Sequence, residues 1–99
     1  MPDAEIPAGA ICYRELGPWK ADQVPTGLQK RHNVKEGCWV KLQVLDGQIL
    51  FIWDDSDNET RDTETLLSAG EHIIIPPIRP HHLELNWDTE IKLDFYRVE

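Results

Sequence analysis

Residues 40–53 have the sequence VKLQVLDGQILFIW, which carries the clearest secondary-structure signal in the chain. Two runs of β-branched and large apolar residues flank Asp46-Gly47, a dipeptide that tolerates the positive φ angles of a two-residue turn. The pattern predicts strands near residues 39–45 and 48–53, joined as a β-hairpin. Alternation along the first strand places Val40, Leu42 and Val44 on one face, which we expect to lie in a core.

The remaining segments also favour short strands. The polar run DDSDNETRD, residues 54–62, predicts a loop, and PPIRP, residues 76–80, can form neither a helix nor a central strand. HHLELNW and TEIKLDFYRV return to alternation. The best helical candidate, around residues 20–31, is interrupted by Pro25 and Gly27. We therefore expect seven or eight strands in one all-β domain spanning residues 1–99, as a small antiparallel β-barrel or sandwich.

Composition narrows the partners and the compartment. The 99 residues suit a single domain, and the formal net charge of -8 argues against nucleic acid or an anionic membrane as a partner. The N-terminus lacks the basic start and apolar stretch of a signal peptide, so a cytoplasmic location is expected. Cys12 and Cys38 should then be reduced thiols.

Chemistry is expected first at the four histidines, because neutral imidazole is the commonest protein ligand for zinc and other transition metals. A barrel can bring histidines from distant strands together at its mouth. If Leu83 and Leu85 face the core, alternation makes His81 face it too, whereas His82 and Glu84 face away. His81 is therefore the predicted inward histidine.

Residues 70–86, GEHIIIPPIRPHHLELN, resemble the second sequence motif of the cupins. Gly70, Pro76 and His81 keep the motif's spacing, and Ile78 stands where the motif has a glycine. Of the first cupin motif, only His32 remains near the expected histidine pair, and its glutamate is missing. The resemblance implies a cupin-type double-stranded β-helix, a small jelly-roll-like barrel.

A longer resemblance covers nearly the whole chain. ICYRELGPW, VPTGLQKRHNVKEGCWVKLQVLDGQI and PHHLELNWDTEIKLDFY are similar to the N-terminal domain family of the tellurite-resistance protein TehB and its stand-alone relatives such as YeaR. The element RHNxKxGxWxKLxVLxG is long and distinctive. Carried over position by position, the family pattern marks His32, Lys35, Gly37, Trp39, Leu42, Gly47, His81 and Glu84. Pro80 replaces a tryptophan of those relatives, so the rim of the pocket is expected to differ.

The resemblance implies no methyltransferase activity for these residues. In TehB, methyl transfer from S-adenosylmethionine belongs to a separate C-terminal domain, and the 99 residues contain no glycine-rich nucleotide loop. Whether the domain is itself an enzyme, for example a small metal-dependent oxygenase or isomerase, stays open. Fold resemblance alone cannot decide it.

The leading hypothesis is a metal-binding domain that acts in the response to tellurite or a related toxic oxyanion. His32 and His81 would bind a divalent ion such as zinc. Zinc sites use three or four protein ligands, and the family pattern offers Glu84 as the third. Alternation places Glu84 on the opposite face of the strand from His81, so it reaches the site only if a β-bulge interrupts the strand. Cys38 is interpreted first as a small residue that flanks Trp39, and the alternative is a thiolate that joins such a site or reacts with an oxyanion.

The alternative hypothesis is a non-enzymatic binding or sensing module that holds a small molecule or a partner without metal. Four tryptophans are many for so short a chain. They should lie in the core or at a subunit interface, so a homodimer is also expected.

Overall fold

The computed structural model describes residues 5–30, 32–54 and 64–98. Within these residues lie seven strands and two short 3-10 helices, at Ala21–Gln23 and Thr26–Gln29. The strands are β1 (Ile11–Lys20), β2 (Cys38–Asp46), β3 (Gln48–Trp53), β4 (Glu64–Ser68), β5 (His72–Ile75), β6 (His81–Leu85) and β7 (Glu90–Arg97). The interrupted helical candidate is thus only two 3-10 turns, on either side of Pro25.

The strands form two antiparallel sheets whose inner faces share one core. The four-stranded sheet has the order β1-β7-β2-β5, and the three-stranded sheet has the order β4-β3-β6. Val40, Leu42 and Val44 are buried in that core, as alternation predicted, and Phe51 and Leu83 meet them from the other sheet. The all-β prediction of a small antiparallel barrel is confirmed.

The predicted hairpin between β2 and β3 is wrong, because the two strands belong to different sheets. The turn at Asp46-Gly47 is instead a corner, and Gly47 has a φ of 68°. A Cβ at Gly47 would lie 2.9 Å from the Asp88 carbonyl oxygen, so the corner requires glycine for both conformation and space. Thr89 secures it from the neighbouring loop, where its hydroxyl donates to the Gln48 carbonyl over 2.7 Å. Alternation and turn chemistry are the same for a hairpin and for a corner, which is why the sequence pattern did not separate them.

The next three predictions concern the cysteines, the polar loop after β3 and membrane-spanning segments. Cys12 and Cys38 are free, as expected. The predicted polar loop begins at Asp54, and its residues 55–62 lie outside the described part of the chain. Among the described residues, no helix has the length and apolar character needed to cross a bilayer.

Ile78, in the loop between β5 and β6, has a left-handed backbone. Its φ is 75°, at the position where the cupin motif carries glycine. A β-branched residue is strained in this region, because Cβ crowds the backbone. The Ile78 side chain is 57% exposed, so its packing offsets little of that strain, whereas its amide is held by a 2.8 Å hydrogen bond to the Val34 carbonyl.

Replacing Ile78 by glycine should therefore stabilise the protein. Relief of left-handed strain is worth about 1–3 kcal/mol, and the greater freedom of glycine in the unfolded chain returns about 0.5–1 kcal/mol of it. We expect a net gain of about 1 kcal/mol in the free energy of unfolding, measured by urea denaturation. Ile78→Ala is the matched control: it removes the exposed side chain but keeps Cβ, so it should gain less. Equal free energies of unfolding for the glycine variant and the wild type would contradict the inference that the backbone of Ile78 is strained.

Candidate functional site

His81 opens β6 at the edge of the core. Its side chain is 1% exposed, and Leu83 beside it on the same face is also buried. The inward orientation predicted from alternation is confirmed. Trp53, at the end of β3, is the cross-strand neighbour of His81. The position of His81 is therefore set by the last pair of the ladder between β3 and β6.

His32 reaches His81 through the backbone. The His32 amide donates to the His81 carbonyl over 2.9 Å, and the His81 amide donates to the His32 carbonyl over 2.8 Å. This reciprocal pair forms an isolated antiparallel bridge outside the named strands. It brings the two imidazole rings to a centroid distance of 4.2 Å with an interplanar angle of 68°. Residues 49 positions apart in sequence therefore share one site.

Both imidazoles are oriented in the same way. The Nδ1 atom of each ring lies 2.8 Å from a backbone carbonyl two residues earlier, that of Lys30 for His32 and that of Arg79 for His81. A carbonyl oxygen only accepts, so in the neutral ring Nδ1 carries the hydrogen and Nε2 keeps its lone pair. Tethering of one ring nitrogen to a carbonyl is the usual support of a metal-bound histidine.

His81 is neutral at ordinary pH. Burial lowers the pKa of His81 to about 4, the hydrogen bond to the Arg79 carbonyl opposes this shift, and the nearby His32 adds to it. Neutrality is what a metal ligand or a hydrogen-bond acceptor requires of imidazole.

Aromatic residues of β3 hold the His81 ring. Phe51 stacks on it at a centroid distance of 5.4 Å and an interplanar angle of 19°, and Trp53 meets it edge-on at 5.8 Å. The Arg79 guanidinium in turn lies 3.9 Å from the centre of the Trp53 ring. The imidazole is thus packed from two sides and can rotate little, which keeps its Nε2 direction constant.

The histidine pair borders an interior cavity of about 210 Å³. Its walls are mainly apolar, with contributions from Leu28, Val40, Leu42, Ile75, Leu83, Leu93 and Phe95. A second, more open cavity of about 280 Å³ lies between β1 and the 3-10 segment, lined by Leu16 and Trp19. The two cavities share four lining residues, which are Leu28, His32, Leu93 and Phe95. His32 therefore stands at the junction of two apolar chambers.

Cys38 and Tyr13 also line the interior cavity. The Tyr13 hydroxyl donates to the buried Cys38 Sγ over 3.6 Å. This hydrogen bond and, next, burial raise the pKa of Tyr13. The thiol is accordingly held inside the cavity wall by a polar neighbour.

Glu84, the third predicted ligand, is not brought to the histidine pair. It lies on the opposite face of β6, where its Oε2 is 3.6 Å from Nε2 of His82. Nδ1 of His82 is paired with the Asp54 carboxylate. No bulge interrupts the register between β3 and β6, so the parity of Glu84 stays outward. Within residues 5–30, 32–54 and 64–98, no three His, Cys, Asp or Glu side chains are close enough together to hold a metal ion.

Sequence reasoning missed the supports of the site. The carbonyl tethers from Lys30 and Arg79 have no sequence signature, since any residue carries a carbonyl. The aromatic support from Phe51 had a signal, because it alternates with Ile49 on the apolar face of β3. Its contact with His81 required the β3–β6 register.

Comparison with known proteins gives a consistent result. Residues 14–93 match the family model described as the TehB-like domain. TehB of Haemophilus influenzae strain 10810, a probable S-adenosyl-L-methionine-dependent methyltransferase, is 36% identical over 88 residues, which cover 87% of this chain and 30% of that protein. The uncharacterized protein YeaR of Escherichia coli K12 is 27% identical over 97 residues, 93% of this chain and 82% of that protein.

Solved structures agree with these relatives. The crystal structure of Haemophilus influenzae TehB superposes with a TM-score of 0.79 at 34% identity, over 89% of this chain and 31% of that one. The structure of an Escherichia coli K12 protein superposes with a TM-score of 0.85 at 27% identity, over 97% and 98% of the two chains. The chain spans about 30% of the length of the TehB proteins that it matches. Its sequence match and its fold together show that the chain belongs to the TehB-like domain family.

Proposed function

We propose that this domain binds a divalent metal ion, zinc in the first instance, through Nε2 of His32 and Nε2 of His81, and acts in the response to toxic oxyanions such as tellurite. The observation that carries the proposal is the pair of carbonyl tethers, which leave two neighbouring Nε2 lone pairs available. The family relationship supports the tellurite-related context.

The donor set is one short of an ordinary open zinc site, which has three protein ligands and one position for water or substrate. Two imidazoles would fill two of the four coordination positions, so water or an oxyanion would have to fill the other two. Glu84 does not complete the set in this arrangement, because it faces away from His81. Bound zinc would supply a positive charge that attracts an anion. The protein's own part is to orient two imidazoles beside an apolar cavity.

Zinc titration of chelator-treated protein tests the site. We expect the wild type to bind one zinc per chain, and the His32→Ala/His81→Ala variant to lose more affinity than the roughly 10–100-fold that removal of an outer-shell partner costs. Glu84→Gln is the matched control and should bind like the wild type. His32→Ala alone serves as a second test variant in case the double variant misfolds, because it leaves the buried His81 in place. Equal zinc binding by the double variant and the wild type would sink the metal site.

The oxyanion role needs a separate test in cells. A tellurite-sensitive bacterial strain expressing the wild-type chain should grow at higher tellurite concentration than the same strain expressing the double variant at equal protein level. Indistinguishable growth would remove the oxyanion role and leave zinc binding to stand or fall by the titration.

A second candidate function is metal-free binding of a small, largely apolar molecule. The two adjoining chambers with apolar walls favour it, since small-molecule sites are concave and apolar with few polar groups. The Nε2 atoms of the histidines would then accept hydrogen bonds from the ligand. Indole is a suitable probe because it combines an apolar body with one N–H donor. Saturable indole binding to zinc-free protein, weakened by Leu93→Trp, would support this function, and no binding at millimolar indole would count against it.

A further inference from the structure

The interior cavity beside the histidine pair has an apolar floor and a polar mouth. Leu42, Leu83 and Leu93 line the floor, and each is at most 3% exposed. Asn33 and Lys35 line the same cavity but are exposed to solvent, so they mark the side on which it opens. A molecule that enters there would bury its apolar part against the floor and keep a polar group at the mouth.

The charge at this mouth is opposite in sign to that of the whole chain. The sequence has 18 acidic and 10 basic residues, and its formal net charge is -8. Among the described residues that line the cavity, Lys35 is nevertheless the one with a charged side chain, since none of them is Asp, Glu or Arg. Lys35 also makes no ion pair with any residue of the described segments. An ammonium group beside an apolar site favours a ligand of negative charge.

Two carboxylates lie near this mouth without lining the cavity. Glu36 follows Lys35 in the chain and is exposed to solvent. Asp54 is close enough for its charge to act on the His81 imidazole, but it pairs with His82 on the outer face of β6. Neither carboxylate is among the described residues that line the cavity. A ligand in the cavity would therefore meet the Lys35 ammonium first.

The backbone that carries Lys35 is held in place from both sides. The Val34 carbonyl accepts a hydrogen bond from the Ile78 amide over 2.8 Å, and the Lys35 carbonyl accepts one from the Cys38 amide over 3.1 Å. His32, a few residues earlier, is bridged to β6. An ion pair between Lys35 and a ligand would thus cost the ordering of one side chain and no rearrangement of the segment.

The size of the cavity limits the ligand. Its volume of about 210 Å³ is below the roughly 300–1,000 Å³ of sites for drug-sized molecules. We propose, on the basis of the metal-free binding function described above, that the ligand is a small monocarboxylic acid, whose apolar body lies in the cavity and whose carboxylate pairs with the Lys35 ammonium. The Nε2 atoms of His32 and His81 then accept hydrogen bonds from any donor on the apolar body.

Calorimetric titration of chelator-treated protein with indole-3-carboxylate and indole-3-carboxamide tests the charge of the ligand. The two probes have the same ring system and the same N–H donor, and they differ in the charge of one substituent. We expect the wild type to bind the carboxylate about fivefold more tightly than the carboxamide, as an exposed ion pair allows. Lys35→Met should remove this preference, and Lys35→Arg should keep it. Lys41→Met is the matched control and should also keep it, because Lys41 lies on the outer face of β2, between the buried Val40 and Leu42.

Salt and a cavity-filling variant complete the test. High salt should reduce the preference for the carboxylate, because ions screen an exposed pair. Leu93→Trp should weaken both probes alike, because Leu93 lines the cavity. A carboxylate that binds Leu93→Trp as tightly as the wild type lies outside the cavity, which overturns the proposal.

Indole itself separates this proposal from the metal-free function on which it rests. If indole binds and the wild type has equal affinities for the carboxylate and the carboxamide, the metal-free function stands and the acidic ligand is wrong. A preference for the carboxylate that Lys35→Met retains also overturns the assignment of Lys35. If none of the three probes binds at millimolar concentration, both the metal-free function and the acidic ligand are wrong.

Discussion

Replacing Phe51 by alanine is expected to destabilise the domain by about 3–5 kcal/mol. Phe51 is fully buried, and its ring contacts both Trp53, at a centroid distance of 4.7 Å, and the His81 ring. Phe51 lies in β3, the central strand of the three-stranded sheet. Because β4 and β6 are hydrogen-bonded to β3 on either side, the backbone cannot move in to fill the cavity that removal of the ring leaves. The free energy of unfolding of small domains is only about 5–15 kcal/mol, so this one substitution would remove a large part of it.

Urea denaturation followed by tryptophan fluorescence measures this loss. Leu66→Ala is the matched control, because Leu66 lies on β4 of the same sheet but is 59% exposed. It should change the free energy of unfolding by no more than about 0.5 kcal/mol. A Phe51→Ala variant that loses less than about 1 kcal/mol would show that β3 is not the centre of the core. Because Phe51 also stacks on the His81 ring, the variant should in addition have a lower affinity for any ligand that the histidine pair binds.

The second large effect is a fall of stability in acid caused by His81. The folded pKa of His81 is about 4, whereas that of the unfolded chain is the ordinary 6.5. The unfolded state therefore binds a proton at a higher pH than the folded state does. Above pH 6.5 neither state is protonated and nothing is lost. Between about pH 6.5 and pH 4 only the unfolded chain takes up the proton, so the free energy of unfolding falls, by roughly 3 kcal/mol in all.

Urea denaturation of chelator-treated protein at a series of pH values from about 7.5 to 4.5 checks this slope. His81→Phe is the matched control, because it fills the same space beside Phe51 without a titrating group. The carboxylates titrate in both proteins, so the difference between the two curves isolates His81. Parallel curves for wild type and variant would mean that His81 is not held neutral by burial.

Part of the site was predictable because it depends on local alternation. His81 faces inward since it shares a strand face with Leu83, and Glu84 faces outward for the same reason. The resemblance nonetheless marked Glu84 as the third candidate ligand. The structure pairs it with His82 instead. The metal itself stays a prediction that the zinc titration must test.

The sequence by itself determined the all-β class, the positions of β2 and β3 to within one residue at each end, the buried face of β2 and the inward direction of His81. Each of these follows from the two-residue period of a strand, which acts over a few neighbouring residues. Only the tertiary structure decided that β2 and β3 part into different sheets, that His32 bridges to His81, and that two carbonyls orient the rings. These features depend on contacts between distant segments. They are settled by which packing buries the most apolar surface, and not by the preference of any single segment.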